Sequence, residues 1–271
     1  MNILFLGDIV GRPGRQIVKT LLPTIKKEYS IDFTIANGEN ATHGKGLSLK
    51  HYNELISAGI DCITMGNHFF KVDEIITKNE QYVNMIRPYN LASYIPGKGS
   101  KVFNCKGIKI RVTNMMGRVF IEGADTNPFF DLDKIINDPE KADIHFVDFH
   151  AEATGEKMSL ARYADGRISC LIGTHTHVQT NDCRILPQGT GFMSDAGMCG
   201  FYEGILGVDP KNVIKHTSLG MPTRFEVPES GRAQLNGVVI NVDEKTSHTT
   251  SIKSISMFEE DDKTTKSIVI G

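Results

Sequence analysis

Two histidines two residues apart, His175 and His177 in Gly173-Thr-His-Thr-His177, are the residues of this sequence best suited to chemistry. They follow the apolar run Ile168-Ser-Cys-Leu-Ile172. In extended backbone, side chains two apart project to the same side. Both imidazoles would then face one ligand, an arrangement that grips Zn, Fe, Mn or Ni. Other apolar runs close in the same way: Asp8 in Leu6-Gly-Asp8, Glu39 and Asn40 in Asn37-Gly-Glu-Asn40, Asn67 and His68 in Gly66-Asn-His68, and His150 in Asp148-Phe-His150. Each fragment alone has an ordinary explanation. Gly-Asp and Gly-Glu-Asn are common turn chemistry, and a lone histidine after an apolar run is usually a hydrogen-bonded core residue. Their recurrence at one run end after another is what turn chemistry leaves unexplained. Among the other histidines, His43 lies in the Gly-rich loop just after Glu39-Asn40. His51, His145, His216 and His248 have no comparable setting and read as structural or surface.

The elements that must position these residues alternate. Asn2-Ile-Leu-Phe-Leu6 is a continuous apolar run, the pattern of a strand buried on both faces. Residues 15–28 place Ile17, Val18, Leu21, Leu22 and Ile25 at helical spacing, with Pro13 near the first turn. Strands are predicted over 32–36 and 60–65. Between them lies a helix over 48–58, with Ser48 as N-cap and Gly59 just past its end. A short helix opens at 73–78. Residues 101–113 alternate around Lys106-Gly107 and predict a hairpin. A helix over 131–137, strands over 142–149 and 168–172, and a helix over 158–164 follow. Residues 189–207, rich in Gly with Met and Phe interleaved, read as a long functional loop. Residues 235–242 and 249–258 predict closing antiparallel strands, and the charge run 259–263 a solvated turn. No repeat or linker divides the chain, so 1–271 reads as one domain of layered α/β type, with strands at least partly parallel. Open α/β sheets place ligands beyond the carboxyl ends of their strands, where all the candidate residues fall.

Composition narrows the class. At 40 % hydrophobic and 23 % charged, the 271 residues are those of an ordinary globular protein, which argues against disorder or a fibre. A net charge of −2 gives no general case for duplex DNA binding. No apolar run approaches the ~20 residues that span a bilayer. The start lacks a basic n-region and carries Asp8 where a leader needs apolar length. Five scattered cysteines without a C-x-x-C pair read as reduced thiols, Cys62 and Cys170 as small buried hydrophobes. These features together predict a cytoplasmic protein with no membrane partner.

Taken in order, Gly7-Asp8, Gly38-Glu39-Asn40, Gly66-Asn67-His68, His150 and Gly173-Thr174-His175-Thr176-His177 resemble the strand-end pattern of the calcineurin-like metallophosphoesterase superfamily, over residues 1–200. The chain departs from the common form in three places. Asp8-Ile-Val10 lacks the usual first-strand histidine, Glu39 replaces the usual bridging Asp, and Thr174 separates His175 from Gly173. With Gly7-Asp-Ile-Val-Gly-Arg-Pro-Gly14 and Asp195-Ala-Gly-Met-Cys-Gly200, these variations resemble the YmdB-type branch.

The resemblance implies a layered αββα fold, central mixed sheets flanked by helices. It also implies a phosphodiesterase that opens 2′,3′-cyclic nucleotides to 3′-nucleotides through a hydroxide held between two metal ions. One metal would take Asp8, Glu39, Asn40 and His177, with the Asn40 amide oxygen in place of the missing imidazole. The other would take Glu39, Asn67, His150 and His175. His68 would be the general acid, a role that suits a histidine beside a ligand. The amide makes the first site harder, which favours iron or manganese; zinc stays open. Arg12 could hold a phosphate oxygen or be an ordinary surface arginine at a helix start. The partners implied are a small phosphodiester or cyclic nucleotide, RNA ends, and further copies of the chain in a homo-oligomer.

Two enzyme classes fit less well. A dinucleotide fold would need G-x-G-x-x-G after the first strand and would leave five metal-type residues unexplained. Two-metal aminopeptidases use similar ligands in a different order. The alternative of another kind is a metal-binding regulatory or scaffold protein of RNA turnover whose catalysis is incidental. Substrate choice would rest on loops 41–47, 115–128 and 189–207, with Gly191-Phe-Met193 and Phe201-Tyr202 as candidate lid or interface.

Overall fold

The first strand shows how the layers are built. In β1 (Asn2–Leu6), Ile3 and Phe5 point one way and Leu4 and Leu6 the other, all fully buried. Leu4 and Leu6 meet Ile17, Leu21 and Leu22 of α1 (Gly11–Glu28) and Leu55 of α2 (Leu49–Ser57). Ile3 and Phe5 meet a second sheet, where Phe5 lies 4.9 Å from Phe146, centroid to centroid. A third cluster, with Val147, Phe149, Leu160 and Leu171, lies under helices on the far side of that sheet. The order is therefore helix, sheet, sheet, helix. The computed structural model describes residues 1–258; the predicted solvated turn at 259–263 lies outside the described residues.

The first sheet runs β2 (Asp8–Ile9), β12 (Met198–Phe201), β13 (Ala233–Val242), β1, β3 (Phe33–Asn37), β4 (Cys62–Thr64) and β5 (Met85–Ile86), with β14 (Thr249–Phe258) on β13. Strands β1, β3, β4 and β5 are parallel, so their carboxyl ends emerge on one side. α3 (Glu74–Thr77) is a single turn between β4 and β5. The second sheet runs β10 (Arg184–Ile185), β11 (Gly191–Met193), β9 (Cys170–Thr174), β8 (Ile144–His150), β7 (Ile108–Met116) and β6 (Ser100–Cys105). Here β7, β8 and β9 are parallel. Its outer helices are α4 (Pro128–Ile136) and α5 (Thr154–Tyr163). The predicted hairpin forms at Lys106-Gly107, both residues having positive φ, the signature of a type I′ turn.

Two expectations differ from the structure. Residues 189–207 are not a long loop: β11 and β12 lie there, and every residue from Gly191 to Gly200 is buried. Two of their glycines sit where a side chain would not fit, since a β-carbon on Gly191 would press on Thr249 and one on Gly197 on Asn236 and Gln179. Gly191-Phe-Met193 is thus a core strand, neither lid nor interface. The second difference is α6 (Pro210–Leu219), absent from the sequence reading. Its signals are present: Asp209 accepts from Lys211 N, Pro210 opens the helix, and Gly220 closes it with φ +64°.

The loop after β3 is tied to α2 by three side chains. Thr42 Oγ1 accepts from Ser48 N at 2.8 Å and lies 2.9 Å from His51 Nδ1; Ser48 caps α2 through His51 N. His51 is 7 % exposed, and burial, with Arg15 beside it, lowers its pKa to about 4. Glu54 pulls the other way, while His43 and Lys50 add to the lowering. The unfolded chain binds this proton below about pH 6.5 and the folded chain does not. Stability from a neutral His51 is therefore present above 6.5 and lost as pH falls toward 4, by up to about 2 kcal/mol between pH 7 and pH 5. Urea unfolding at the two pH values should show a smaller loss for His51→Gln than for the wild type; equal losses would refute the role.

Candidate metal centre

All the strand-end residues singled out by sequence converge in the structure. Asp8 opens β2, Glu39 and Asn40 follow β3, Asn67 and His68 follow β4, His150 ends β8, and His175 and His177 follow β9. Glu39 is the common member. Its Oε1 lies 3.3 Å from His150 Nε2, 3.1 Å from His68 Nδ1 and 3.2 Å from Asn40 Nδ2, and its Oε2 accepts the His68 backbone N–H at 2.9 Å. On one side, Asn67 Oδ1 and His175 Nδ1 approach His150 Nε2 at 3.0 and 3.1 Å. On the other, Asn40 Nδ2 lies 3.4 Å from Asp8 Oδ1 and 3.1 Å from His177 Nε2. Gly66 admits this crowding, because a β-carbon there would strike Glu39 Oε2 and the His150 ring.

The rings suit a cation because each has its outer nitrogen engaged. His150 Nδ1 donates to Thr174 Oγ1 at 2.9 Å, since the Thr174 hydroxyl is already donated to Asp148 Oδ1 at 2.7 Å. His175 Nε2 faces Glu152 Oε2 at 3.2 Å. His177 Nδ1 donates to the Leu206 carbonyl at 3.0 Å. In the neutral rings each remaining nitrogen, His150 Nε2, His175 Nδ1 and His177 Nε2, then turns a lone pair toward Glu39 or Asp8, as outer acceptors arrange for metal-binding histidines. Among the described residues, no lysine or arginine pairs with Asp8 or Glu39. Glu39, His150 and His175 offer ligand atoms within 4.8 Å of one another.

The electrostatics point the same way. Burial opposes a charged His150, yet the carboxylates of Glu39, Asp8 and Asp148 outweigh it and lift its pKa to about 9. Burial, and then the charge on His150, lower His175 to about 3. Burial raises Asp8, partly offset by His177 and His150. Glu39 is held well below the carboxylate range because His150 and His68 outweigh its burial. The field that draws a proton onto one ring would also favour a cation in the same place.

Two details differ from the sequence reading, and a third decides between its alternatives. His175 and His177 do not lie in extended backbone: β9 ends at Thr174 and the two have φ of +101° and +65°. Such conformations cost about 1–3 kcal/mol each. They are held by His175 N donating to Asp8 Oδ2 (3.1 Å) and Thr176 N to Asp195 Oδ2 (3.0 Å). Asn40 turns its amide nitrogen toward Asp8, Glu39 and His177, and its oxygen to His68 Nδ1 at 2.7 Å. Arg12 lies on the surface, 3.8 Å from Glu229 and away from the donors.

The sequence reading also missed supporting residues. Asp148 was only part of a motif, yet it anchors Thr174, Thr64 and Asn37; Thr64 and Asn37 both meet its Oδ2. Glu152 was not noticed, although it follows His150 by two residues. Lys157, in α5, reaches Asp195 at 2.8 Å with both side chains 1 % exposed, and Asp195 in turn holds the His175–His177 turn.

Comparison with known proteins places this arrangement. A family model described as YmdB-like protein matches residues 4–255. The 2′,3′-cyclic-nucleotide 2′-phosphodiesterase of Bacillus subtilis (strain 168) is 47 % identical over 256 residues, covering 94 % of this chain and 96 % of that protein. Among solved structures, a hypothetical protein from Thermus thermophilus superposes with a TM-score of 0.89 at 37 % identity, covering 96 % of this chain and all of that one. A chain described as a novel phosphatase from Mycoplasma pneumoniae gives 0.87 at 40 % identity, covering 96 % and 94 %.

Removing one partner of a buried ion pair leaves an uncompensated charge, which costs about 3–5 kcal/mol. Lys157→Met should therefore lower the unfolding midpoint sharply, and Lys157→Met with Asp195→Asn should recover part of the loss. Losses that simply add in the double-mutant cycle would show that the pair does not act as a unit.

Proposed function

Because the chain belongs to the YmdB-like protein family, we propose that it is a metal-dependent phosphodiesterase that opens nucleoside 2′,3′-cyclic phosphates to 3′-monophosphates. The observation that carries this reading is the shared Glu39 carboxylate, flanked by imidazole lone pairs on one side and by Asp8 and His177 on the other. Asp8, Glu39, Asn40 and His177 would hold one cation, and Glu39, Asn67, His150 and His175 a second. The amide in the first set favours iron or manganese. A pair of cations, when bound, supplies Lewis acidity at phosphorus and a water of lowered pKa.

The chain's own groups do the rest. To offer its oxygen to the first set, Asn40 must present the other face of its amide. His68 Nδ1 then keeps the Glu39 carboxylate, 3.1 Å away, as the acceptor of its proton, and the acid form of the ring carries a second proton on Nε2. His68 lines both cavities at the site, so this proton can be given to the 2′-oxygen as its bond to phosphorus breaks. Water adds to phosphorus, the 2′-hydroxyl forms, and the phosphate stays on the 3′-oxygen. Glu152 and the Leu206 carbonyl keep His175 and His177 in their tautomers throughout. No helix among the described residues is long and apolar enough to cross a membrane.

The test is hydrolysis of 2′,3′-cyclic AMP on protein whose metal content is measured in the same preparation. The expected result is 3′-AMP as product, loss of turnover on chelation, and its return with manganese or iron. His68→Ala should keep its metal and lose about 10²–10⁴-fold in kcat. Metal-loaded wild type without turnover would refute the reaction, and a metal-loaded variant with full turnover would refute the role of His68.

A further inference from the structure

The donor cluster opens onto a second, larger space. Asn40, His68, His177 and Leu206 line both the cavity at the donors, about 280 Å³, and a neighbouring one of about 770 Å³. The far wall of the larger cavity is the excursion between β12 and β13. It begins with the Ile205–Val208 turn, continues through α6 and returns along residues 223–227. No residue of α6 is buried, so the helix adds nothing to the core. The excursion is nonetheless a built structure. Asp209 N donates to the Glu226 carbonyl, Asn212 Nδ2 to the Arg224 carbonyl, and Thr223 Oγ1 to the Asn212 carbonyl. Val227 seats it on the loop after β3, where a β-carbon on Gly44 would collide with the valine.

The lining combines two chemistries. Val72, Leu206, Val213 and Phe225 supply apolar surface, and Lys45, Lys71 and Arg224 supply fixed positive charge. Among the described residues, no carboxylate lines the cavity, although acidic residues outnumber basic ones in the chain. Glu229, on the same excursion, faces outward to Arg12 and His43 at 3.8 and 3.7 Å. His216 packs edge-on against Phe225, centroids 5.5 Å apart at 83°, and leaves Phe225 45 % exposed as a surface for a base.

We infer that the substrate carries a second phosphate on the 5′ side of the reacting nucleotide, and that the site takes the 3′ end of an oligoribonucleotide closed as a 2′,3′-cyclic phosphate. The inference rests on the phosphodiesterase reading above. A cyclic mononucleotide has one anionic group, which the donor cluster would engage. Lys45, Lys71 and Arg224, all solvent-exposed, would then face an uncharged nucleoside, and their positive field would meet no anion of the substrate. A phosphodiester one nucleotide upstream supplies the missing charge, and the upstream base has Phe225 to stack on.

Three substrates with the same scissile group test this on the purified full chain: 2′,3′-cyclic AMP, the same with a 5′-phosphate, and the dinucleotide ApA ending in a 2′,3′-cyclic phosphate. The dinucleotide should exceed cyclic AMP at least tenfold in kcat/KM. Lys71→Ala and Arg224→Ala should each shrink that ratio severalfold. Binding of a fluorescent adenosine trinucleotide 3′-phosphate, followed by anisotropy against salt, gives a second readout. Each phosphate contact contributes about −0.7 to the slope of log affinity on log salt, and either variant should be shallower by about that amount. Equal kcat/KM for cyclic AMP and the dinucleotide would overturn the inference. A 5′-phosphorylated mononucleotide as good as the dinucleotide would overturn the RNA end and leave a single extra phosphate. Absence of turnover on all three, with salt-dependent trinucleotide binding kept, would refute the phosphodiesterase while supporting the ligand class.

Discussion

A carboxylate with almost no access to water, set among imidazole lone pairs, has to be neutralised, and the structure around Glu39 is organised by that requirement. Glu39 Oε1 meets three side chains from three different strand ends, and no lysine or arginine among the described residues is near enough to answer it. The raised pKa of His150 means that, without a metal, a proton on that ring would supply part of the compensation. A dication would supply more: it would displace that proton and take up the lone pairs of His150 Nε2 and His175 Nδ1, 3.1 Å apart. Buried polar groups left without partners cost enough to unfold a marginal domain. The convergence therefore persists only because a firm scaffold holds it.

That scaffold is the pair of stacked sheets. Glu39 and Asn67 come from the first sheet, His150 and His175 from the second, so the site exists only while the sheets keep their mutual position. The apolar layer between them, with Phe5 on Phe146 at its centre, does this without polar cost. The seam is also hydrogen-bonded just beneath the donors. Asn37 of β3 and Thr64 of β4 both reach Asp148 of β8, whose other oxygen receives the Thr174 hydroxyl from β9. Burial raises Asp148 to about 6, opposed by His150 and these donors. Asp148 thus joins both sheets and, through Thr174, sets which nitrogen of His150 faces Glu39.

The legibility of this arrangement in the sequence follows the same division. Strand ends were readable because an apolar run closing in Asp, Asn, Glu or His conflicts with ordinary burial, and the conflict marks position without any knowledge of contacts. Ile3 to Leu6 predicted a strand buried on both faces, and the structure uses the two faces for two different cores. Residues 189–207 failed because glycine signals two opposite things, a flexible loop or a backbone approached too closely for a β-carbon. Only the partner strand distinguishes them, and it comes from elsewhere in the chain. The left-handed conformations of His175 and His177 were hidden for a related reason. Asp8 and Asp195, far away in sequence, hold the backbone N–H groups of His175 and Thr176. Lys157 was illegible because a charged residue on a helix normally faces water and nothing local shows that it reaches inward; Glu152, half exposed, was illegible because nothing local shows that it turns to His175.

The excursion from 202 to 232 marks where the scaffold stops and specificity begins. It adds no buried residue through α6, yet its first turn does something the sheets cannot: the Leu206 carbonyl accepts the hydrogen bond of His177 Nδ1–H and so aims Nε2 at Asp8 and Asn40. Leu206 has a φ of +54°, an uncommon conformation for leucine, and it lines both cavities. One residue therefore belongs at once to the cavity wall and to the set that orients the His177 ring. Changes to the excursion that reshape the larger cavity must keep that carbonyl in place, or the ring loses its tautomer. Such a constraint allows the distal side chains, Phe225 and Arg224 among them, to vary freely with substrate, while the Ile205–Val208 turn is bound to the chemistry.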